Sequence, residues 1–462
     1  MLEALFLSAL TTPLNARLIG SDATFARVSI DARQVQAGGL FVALPGSRVD
    51  GHDFIAQARA NGAVAALVER PVDDPLPQLL VADCQTALGQ LGALNRAGFK
   101  QPVVAITGSS GKTTVKEMLA AILRQCGSVL ATRGNLNNEL GVPLTLLELS
   151  HKHQYAVVEM GAAAVGDIRY SMALASPDVS VLTNAGVAHI GRFGSEQAIA
   201  QTKSEIFSEL GAAGQAVVNL DSPWLSDWQG IIGSRRTWSF SLSNPAASLH
   251  AENIQFDQRG CAGLRLLSPV GEIDIQLNLL GEHNVANALA AAAAALALGV
   301  SLEAIAAGLN GLQAVAGRGK TLAGYQGAHI IDDSYNANPA SVRAAIDVLS
   351  SLDGHRVLVL GDMGELGASE QQVHRQIGEY ARVRGLDELY ATGPLATLAA
   401  EAFGQGGQRF DSRSALAAAL KTQLNPHTRV LVKGSRSAGM EEVVTALVEG
   451  SHIQDEGKPR CC

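Results

Sequence analysis

The stretch Ala105-Ile-Thr-Gly-Ser-Ser-Gly-Lys-Thr-Thr-Val115 constrains this chain more than any other. The short apolar run from Gln101 to Ile106 suits a buried strand, and Gly108 and Gly111 free the backbone for a tight turn. Apolar residues then recur at Val115, Met118, Leu119 and Ile122, which is helical spacing. Strand, glycine loop and helix in that order aim the loop's N–H groups and the helix N-terminus at one point, which suits an anion. Thr107, Gly108, Ser109, Ser110, Gly111, Lys112, Thr113 and Thr114 are therefore the candidate phosphate cradle. Lys112 is placed to reach outer phosphate oxygens and the Thr113 hydroxyl to ligate Mg2+, so a nucleoside triphosphate is the natural guest. The general pattern has a glycine six residues before the lysine; here Ile106 stands there, and the motif is the shorter T-G-x-x-G-K-T-T. The bland reading is a glycine- and serine-rich turn with a surface lysine, and the flanking strand and helix weigh against it.

At 462 residues the chain is too long for one ordinary core, and about 150 residues per domain gives three. A formal charge of -8, with no cluster of Lys/Arg and interleaved aromatics, excludes a basic nucleic-acid footprint. Cys84, Cys126, Cys261, Cys461 and Cys462 form no C-x-x-C pair and no even framework, so reduced thiols in a cytoplasm are expected and thiolate metal binding is not. The N-terminus lacks a basic leader, and the longest apolar run, Ala288 to Leu298, is too short to span a bilayer. A cytosolic protein without membrane insertion is expected.

Residues 1–98 read as a small α/β unit ending before Gln101-Pro102. Within it Arg27-Val-Ser-Ile-Asp-Ala-Arg33 puts Ser29, Asp31 and Arg33 on alternate positions, one face of an extended segment, ahead of a strand at Leu40–Leu44 and a polar glycine loop from Pro45 to Phe54. That loop reads either as a ligand-holding segment or as a solvated connection.

The central region, 99–315, alternates short β-like runs with helical patterns, which argues a mostly parallel sheet. The runs are Ser128–Ala131, Ala156–Glu159, Val179–Leu182 and Ala216–Asn219, and ligands of such sheets sit at the strands' carboxyl ends. Glu159 closes one run and suits a Mg2+ site. His189 follows the next, where a structural hydrogen-bonding role competes with metal ligation because Mg2+ prefers oxygen. A helix expected over Gln197–Leu210 places Lys203 on the apolar stripe of Ile199, Ile206, Phe207 and Leu210. Two readings stand for Lys203. Its stem covers apolar surface while the ammonium reaches water, or burial lowers its pKa so that the neutral amine takes up CO2 as a metal-binding carbamate.

In residues 316–452 the runs Arg356–Leu360, Leu389–Ala391 and Arg429–Lys433 alternate with helices, giving a second, Rossmann-like sheet. Arg318, flanked by Gly317 and Gly319, reads either as a hinge-surface residue or as a phosphate clamp. Residues 453–462, with the Cys461-Cys462 pair, read as a flexible tail.

Taken together these residues resemble the ATP-dependent Mur ligase family over nearly the whole chain. The family's loop is T-G-x-x-G-K-[ST], which accounts for Ile106, and Lys203 in Thr202-Lys-Ser-Glu-Ile-Phe207 matches its modified lysine. The resemblance implies Mg2+ at Thr113, Glu159, His189 and carbamylated Lys203; ATP contacts at Asn284 and Asn287 of Gly281-Glu-His-Asn-Val-Ala-Asn287, at Arg318 and at Asp333; and substrate contacts at Asn135 and Asn138. The segments Asp332–Pro339, Leu360–Gly367 and Lys433–Arg436 are similar to those of the family member that adds D-alanyl-D-alanine to UDP-N-acetylmuramoyl-tripeptide. On that resemblance 1–98 binds the UDP-sugar peptide through Ser29, Asp31 and Arg33, 99–315 binds ATP, and 316–452 binds the dipeptide through Asn336, Asn338 and Arg436 of a chain expected to be a monomer. An acyl phosphate is the implied intermediate. A sister ligase adding the third peptide residue, a folylpolyglutamate synthetase and a hydrolytic NTPase switch are the competing readings.

Overall fold

The strand Val103–Thr107 is buried along its whole length and pairs in parallel on both sides, with Tyr155–Glu159 and with Val179–Leu182. It is the pivot of a nine-stranded sheet in the computed structural model, which describes residues 1–186 and 190–448. From one edge the sheet runs Val129–Ala131, Tyr155–Glu159, Val103–Thr107, Val179–Leu182, Gln215–Asn219, Arg236–Ser241, Leu249–Phe256, Cys261–Ser268 and Gly271–Leu280. The parallel portion agrees with the expected runs; the last two pairings are antiparallel and extend the sheet beyond them. Alternation of buried and exposed residues marks these last strands as covered on one face only.

Helices pack on both faces. Lys112–Leu123, His283–Ala297 and Leu302–Gly311 cover one, and the seven alanines Ala288 and Ala290–Ala295 are buried in that core with Leu289, where small side chains bring helices close. The closest approach is at Gly308: an added Cβ would sit 2.4 Å from Ile122 Cα, so only glycine fits. The other face holds Asp167–Ala175, Glu196–Ser208 and Leu225–Ile232. Among the described residues no helix is long and apolar enough to cross a membrane.

The N-terminal residues form a five-stranded sheet in the order Arg17–Ile19, Gln78–Leu80, Ala63–Val68, Gly39–Val42, Arg27–Ser29. Here one expectation fails. The extended segment stops at Ser29, and residues 31–34 form a turn. The Ser29 hydroxyl donates to Asp31 O (2.9 Å), and the Asp31 carboxylate accepts from the Arg33 backbone N–H (2.9 Å) and its guanidinium (2.8 Å). Short polar side chains bonding to nearby backbone compete with the ladder, and alternation alone did not reveal it. Asn95 joins this unit to the central one: its Nδ2 donates to Leu146 O and Leu149 O, and its Oδ1 accepts from Leu2 N.

The third sheet is six-stranded, in the order Lys320–Ala323, His329–Asp333, Thr428–Lys433, His355–Gly361, Glu388–Thr392, Gly407–Phe410, parallel except at the first pairing. Its core takes in Cys261 and Leu280 of the central unit, which pack with Leu349 and Leu352 across the junction. The mixed α/β architecture with mostly parallel sheets is as the sequence implied.

Candidate active site

The glycine loop turns as its composition demands. Gly111 has φ +79° and precedes the first residue of the helix Lys112–Leu123. An added Cβ there would lie 2.4 Å from Asn287 Oδ1, so glycine is required by space as well as by backbone angle. The loop is moored to the next strand's end: Ser109 N donates to Asn184 O (3.0 Å), Ser110 N to Asn184 Oδ1 (2.9 Å), and the Thr183 hydroxyl to Ser110 O (2.7 Å). Lys112 Nζ folds back to Gly108 O at 2.7 Å. Burial pushes the Lys112 pKa down, nearby Glu159 opposes that, and Arg318 adds to it.

Glu159 is 2% exposed at the end of its strand. Its Oε2 accepts from the Thr113 hydroxyl (2.8 Å), its Oε1 from Asn137 Nδ2 (2.7 Å), and its backbone N–H donates to Thr132 Oγ1 (2.9 Å). A carboxylate and a hydroxyl held edge to edge beside a phosphate loop are hard oxygen donors, the set Mg2+ takes. Lys203 lies in the helix Glu196–Ser208, whose N-terminus is capped by Ser195 accepting from Ala198 N. Its side chain is buried, as the apolar stripe required, yet it reaches the same cavity. Burial first, and then nearby Lys112, lower its pKa to about 7 against the opposing pull of Asp167 and Glu205. His189, like the tail, lies outside the described residues.

A cavity of about 830 Å3 runs from this cluster to the third sheet. Ser109, Ser110, Gly111, Lys112, Thr113, Thr114, Asn135, Asn138, Glu159 and Lys203 line its central side. Asn284, Asn287, Arg318, Asp333, Asn336, Asn338 and Arg436 complete the wall. Asn284 and Asn287 are bonded to each other at 2.9 Å. Arg318 stacks with its guanidinium carbon 4.1 Å from the Tyr335 ring centroid, and Arg436 lies 5.9 Å from the same ring. Asn338 caps the helix Pro339–Ser351 through Oδ1, leaving Nδ2 to donate across the junction to Ser110 Oγ at 3.3 Å. Thr107 and Gly108 are not on the cavity surface; the Thr107 hydroxyl is buried and donates to Met160 O. Nor are Ser29, Asp31 and Arg33, which stay in the N-terminal unit.

Sequence reasoning missed three contributors. Asn137 orients Glu159, Tyr335 carries Arg318, and Lys433, 3% exposed, donates to Asp333 Oδ2 (2.6 Å) and Asn336 O (2.9 Å). The Asp333 and Lys433 strands are neighbours in register, a fact no local pattern carries.

Comparison with known proteins agrees with this geometry. Three family descriptions match in succession: Mur ligase family, catalytic domain, over residues 24–96; Mur ligase middle domain over 106–295; and Mur ligase, glutamate ligase domain, over 317–436. The UDP-N-acetylmuramoyl-tripeptide--D-alanyl-D-alanine ligase of Escherichia coli (strain K12) is 47% identical over 96% of this chain and 98% of its own. A crystal structure of MurF from Acinetobacter baumannii superposes with TM-score 0.90 at 39% identity, covering 96% of this chain and 98% of that one. The MurF ligase of Thermotoga maritima in complex with ADP superposes at TM-score 0.82 and 31% identity, covering 91% and 96%. The chain belongs to the Mur ligase family, alongside the MurF ligases.

Proposed function

We infer that this chain uses ATP to join D-alanyl-D-alanine to the terminal carboxylate of UDP-N-acetylmuramoyl-tripeptide, giving the pentapeptide precursor of peptidoglycan, ADP and phosphate. The observation that carries it is end-to-end similarity to ligases of that name, over all three sheets at once. ATP use is further supported by the ADP complex of the Thermotoga relative.

The chemistry follows from what an amide bond requires. A carboxylate is a poor electrophile, so the γ-phosphoryl of ATP is transferred to it first; the resulting acyl phosphate is attacked by the dipeptide amine, and phosphate leaves. The glycine loop and Lys112 hold the phosphates and offset the charge that moves through them. Thr113 and Glu159 are the residues that would hold Mg2+, with His189 and a carbamate on Lys203 completing the set; when bound, the ion neutralises phosphate charge. The carbamate forms as the neutral amine adds to CO2 and releases one proton. Its support is a buried lysine whose pKa lies near 7 at the edge of the site. Asn284, Asn287, Arg318 and Asp333 address the nucleotide. Residues 1–98 present the UDP-sugar, with Ser29, Asp31 and Arg33 at its far end, 99–315 the ATP, and 316–452 the dipeptide, with Asn336, Asn338 and Arg436 nearest it. The enzyme works as a monomer in the cytoplasm, where ATP is supplied.

Phosphate release from ATP and Mg2+ with the tripeptide nucleotide, with and without D-alanyl-D-alanine and against single amino acids, tests this. Release that needs both substrates, with product mass higher by one dipeptide, is expected; turnover with a single amino acid instead makes the chain a sister ligase.

A further inference from the structure

The turn Leu360-Gly-Asp-Met-Gly-Glu-Leu-Gly367 has no part in the chemistry above, yet it is built to be rigid. Asp362 Oδ1 accepts from Leu395 N (3.0 Å) and Ala396 N (2.7 Å), and Asp362 O accepts from Ser435 N (2.8 Å). Met363 N donates to Nε2 of the fully buried His374 (3.0 Å), and Met363 and Leu366 are sunk in the core of the third unit. Between these anchors the tip projects outward, with Glu365 at φ +63° and Gly367 at φ +60°. Glu365 is a side chain in left-handed backbone, a conformation that costs about 1–2 kcal/mol.

The tip meets the central unit at the short helix Ile190–Phe193. Gly191 N donates to Glu365 O at 3.0 Å, and Arg192 Nη2 pairs with Glu365 Oε1 at 2.6 Å. The backbones are close enough that a Cβ on Gly191 would stand 2.8 Å from Gly367 N and 3.0 Å from Glu365 O. A chance surface contact would show one ion pair; this one combines a backbone hydrogen bond, an ion pair and two facing glycines. Arg192 also lines the cavity. The contact thus joins the unit assigned to the dipeptide to the wall of the nucleotide site.

We propose that Glu365 is a positioning residue: the rigid turn that carries it engages Gly191 and Arg192 and so holds the third unit against the central one for amide formation. This rests on the ligase reading above. Loosening the contact therefore costs alignment of the dipeptide with the acyl phosphate and leaves ATP capture, which the central loop performs, unchanged.

The test is steady-state kinetics on the full chain. Arg192 and Glu365 side chains are 52% and 34% exposed, so Glu365→Gln, Arg192→Glu and Glu365→Arg leave the core undisturbed. Each single change is expected to lower kcat/KM for the dipeptide by about 3- to 5-fold, the range of one solvent-facing ion pair. In Glu365→Gln and Glu365→Arg, whose side chain does not line the cavity, KM for ATP stays within about 2-fold of the unmodified chain, as uniform loss of structure would not allow. The reversed pair Arg192→Glu with Glu365→Arg restores dipeptide kcat/KM to within about 2-fold, and Gly191→Ala, which forces the backbones apart, costs about tenfold or more. A reversed pair no better than the worse single change, a parallel rise in KM for ATP in the Glu365 variants, or variants that match the unmodified chain would each overturn the proposal. Absence of dipeptide-dependent turnover in the unmodified chain overturns the ligase reading instead.

Discussion

Replacing Lys203 by methionine should make the protein more stable and inactive at once. Lys203 is 2% exposed, and its pKa lies near 7 where an ordinary lysine titrates near 10.4. At pH 7 about half of the side chains then carry a neutral amine, against roughly one in two thousand for a lysine in water. The gap corresponds to an upper figure of about 4–5 kcal/mol of lost stability, arising first from burial and then from Lys112. The sign follows from proton counting. Below pH 7 the amine is protonated in both states and the penalty is fully present. From about pH 7 to 10.4 the unfolded chain holds the extra proton, so stability rises with pH and the penalty fades. Methionine fills a similar volume without charge, so it should recover at least about 2 kcal/mol at pH 6.5 and clearly less at pH 9. All three tryptophans, Trp224, Trp228 and Trp238, lie in the central unit, and Trp228 shares a core cluster with Ile206 and Phe207 of the lysine's helix. Urea unfolding followed by tryptophan fluorescence, in metal-free and CO2-depleted buffer, therefore reads the relevant unit alone. A Lys203→Met chain less stable than its parent at pH 6.5, or a difference independent of pH, would refute the reasoning. Dipeptide-dependent phosphate release should disappear in the same variant.

Two further perturbations test the scaffold around the site. Gly111→Ala places a Cβ 2.4 Å from Asn287 Oδ1 at φ +79°, so nucleotide affinity measured by calorimetry should fall about tenfold or more while the fold is kept. Asn95→Ala strands the carbonyls of Leu146 and Leu149 and the N–H of Leu2, and should cost about 2–3 kcal/mol in urea unfolding. No loss there would mean that water satisfies the groups and that this junction is not held by Asn95.

What could be read from the sequence divides along a physical line. The loop around Lys112, the parallel strands and the inward-facing Lys203 announce themselves through contiguous patterns, because a buried strand, a phosphate turn and a helix stripe are all written within about ten residues. Ser29, Asp31 and Arg33 show the limit of that rule, since alternating polar residues fit a strand's face and also a turn whose side chains bond their own backbone. The antiparallel extension from Cys261 to Leu280 went unread for a related reason: covered on one face only, its strands lack the continuous apolar runs of the parallel core. The cavity is a different kind of fact. Asp333 and Lys433 stand a hundred residues apart in the chain and 2.6 Å apart in space, and Asn338 reaches Ser110 across 228 positions. The first pair exists because His329–Asp333 and Thr428–Lys433 are parallel neighbours in register, and the second because the third sheet lies over the carboxyl end of Val103–Thr107, which has parallel neighbours on both sides. The third sheet is docked there by Cys261, Leu280 and their partners. Strand order and docking are collective properties of whole sheets, so no local pattern encodes them. The resemblance to a known family supplied the residues' roles, but only the folded chain shows that Glu365 reaches Gly191 and Arg192, a contact that neither motif announces.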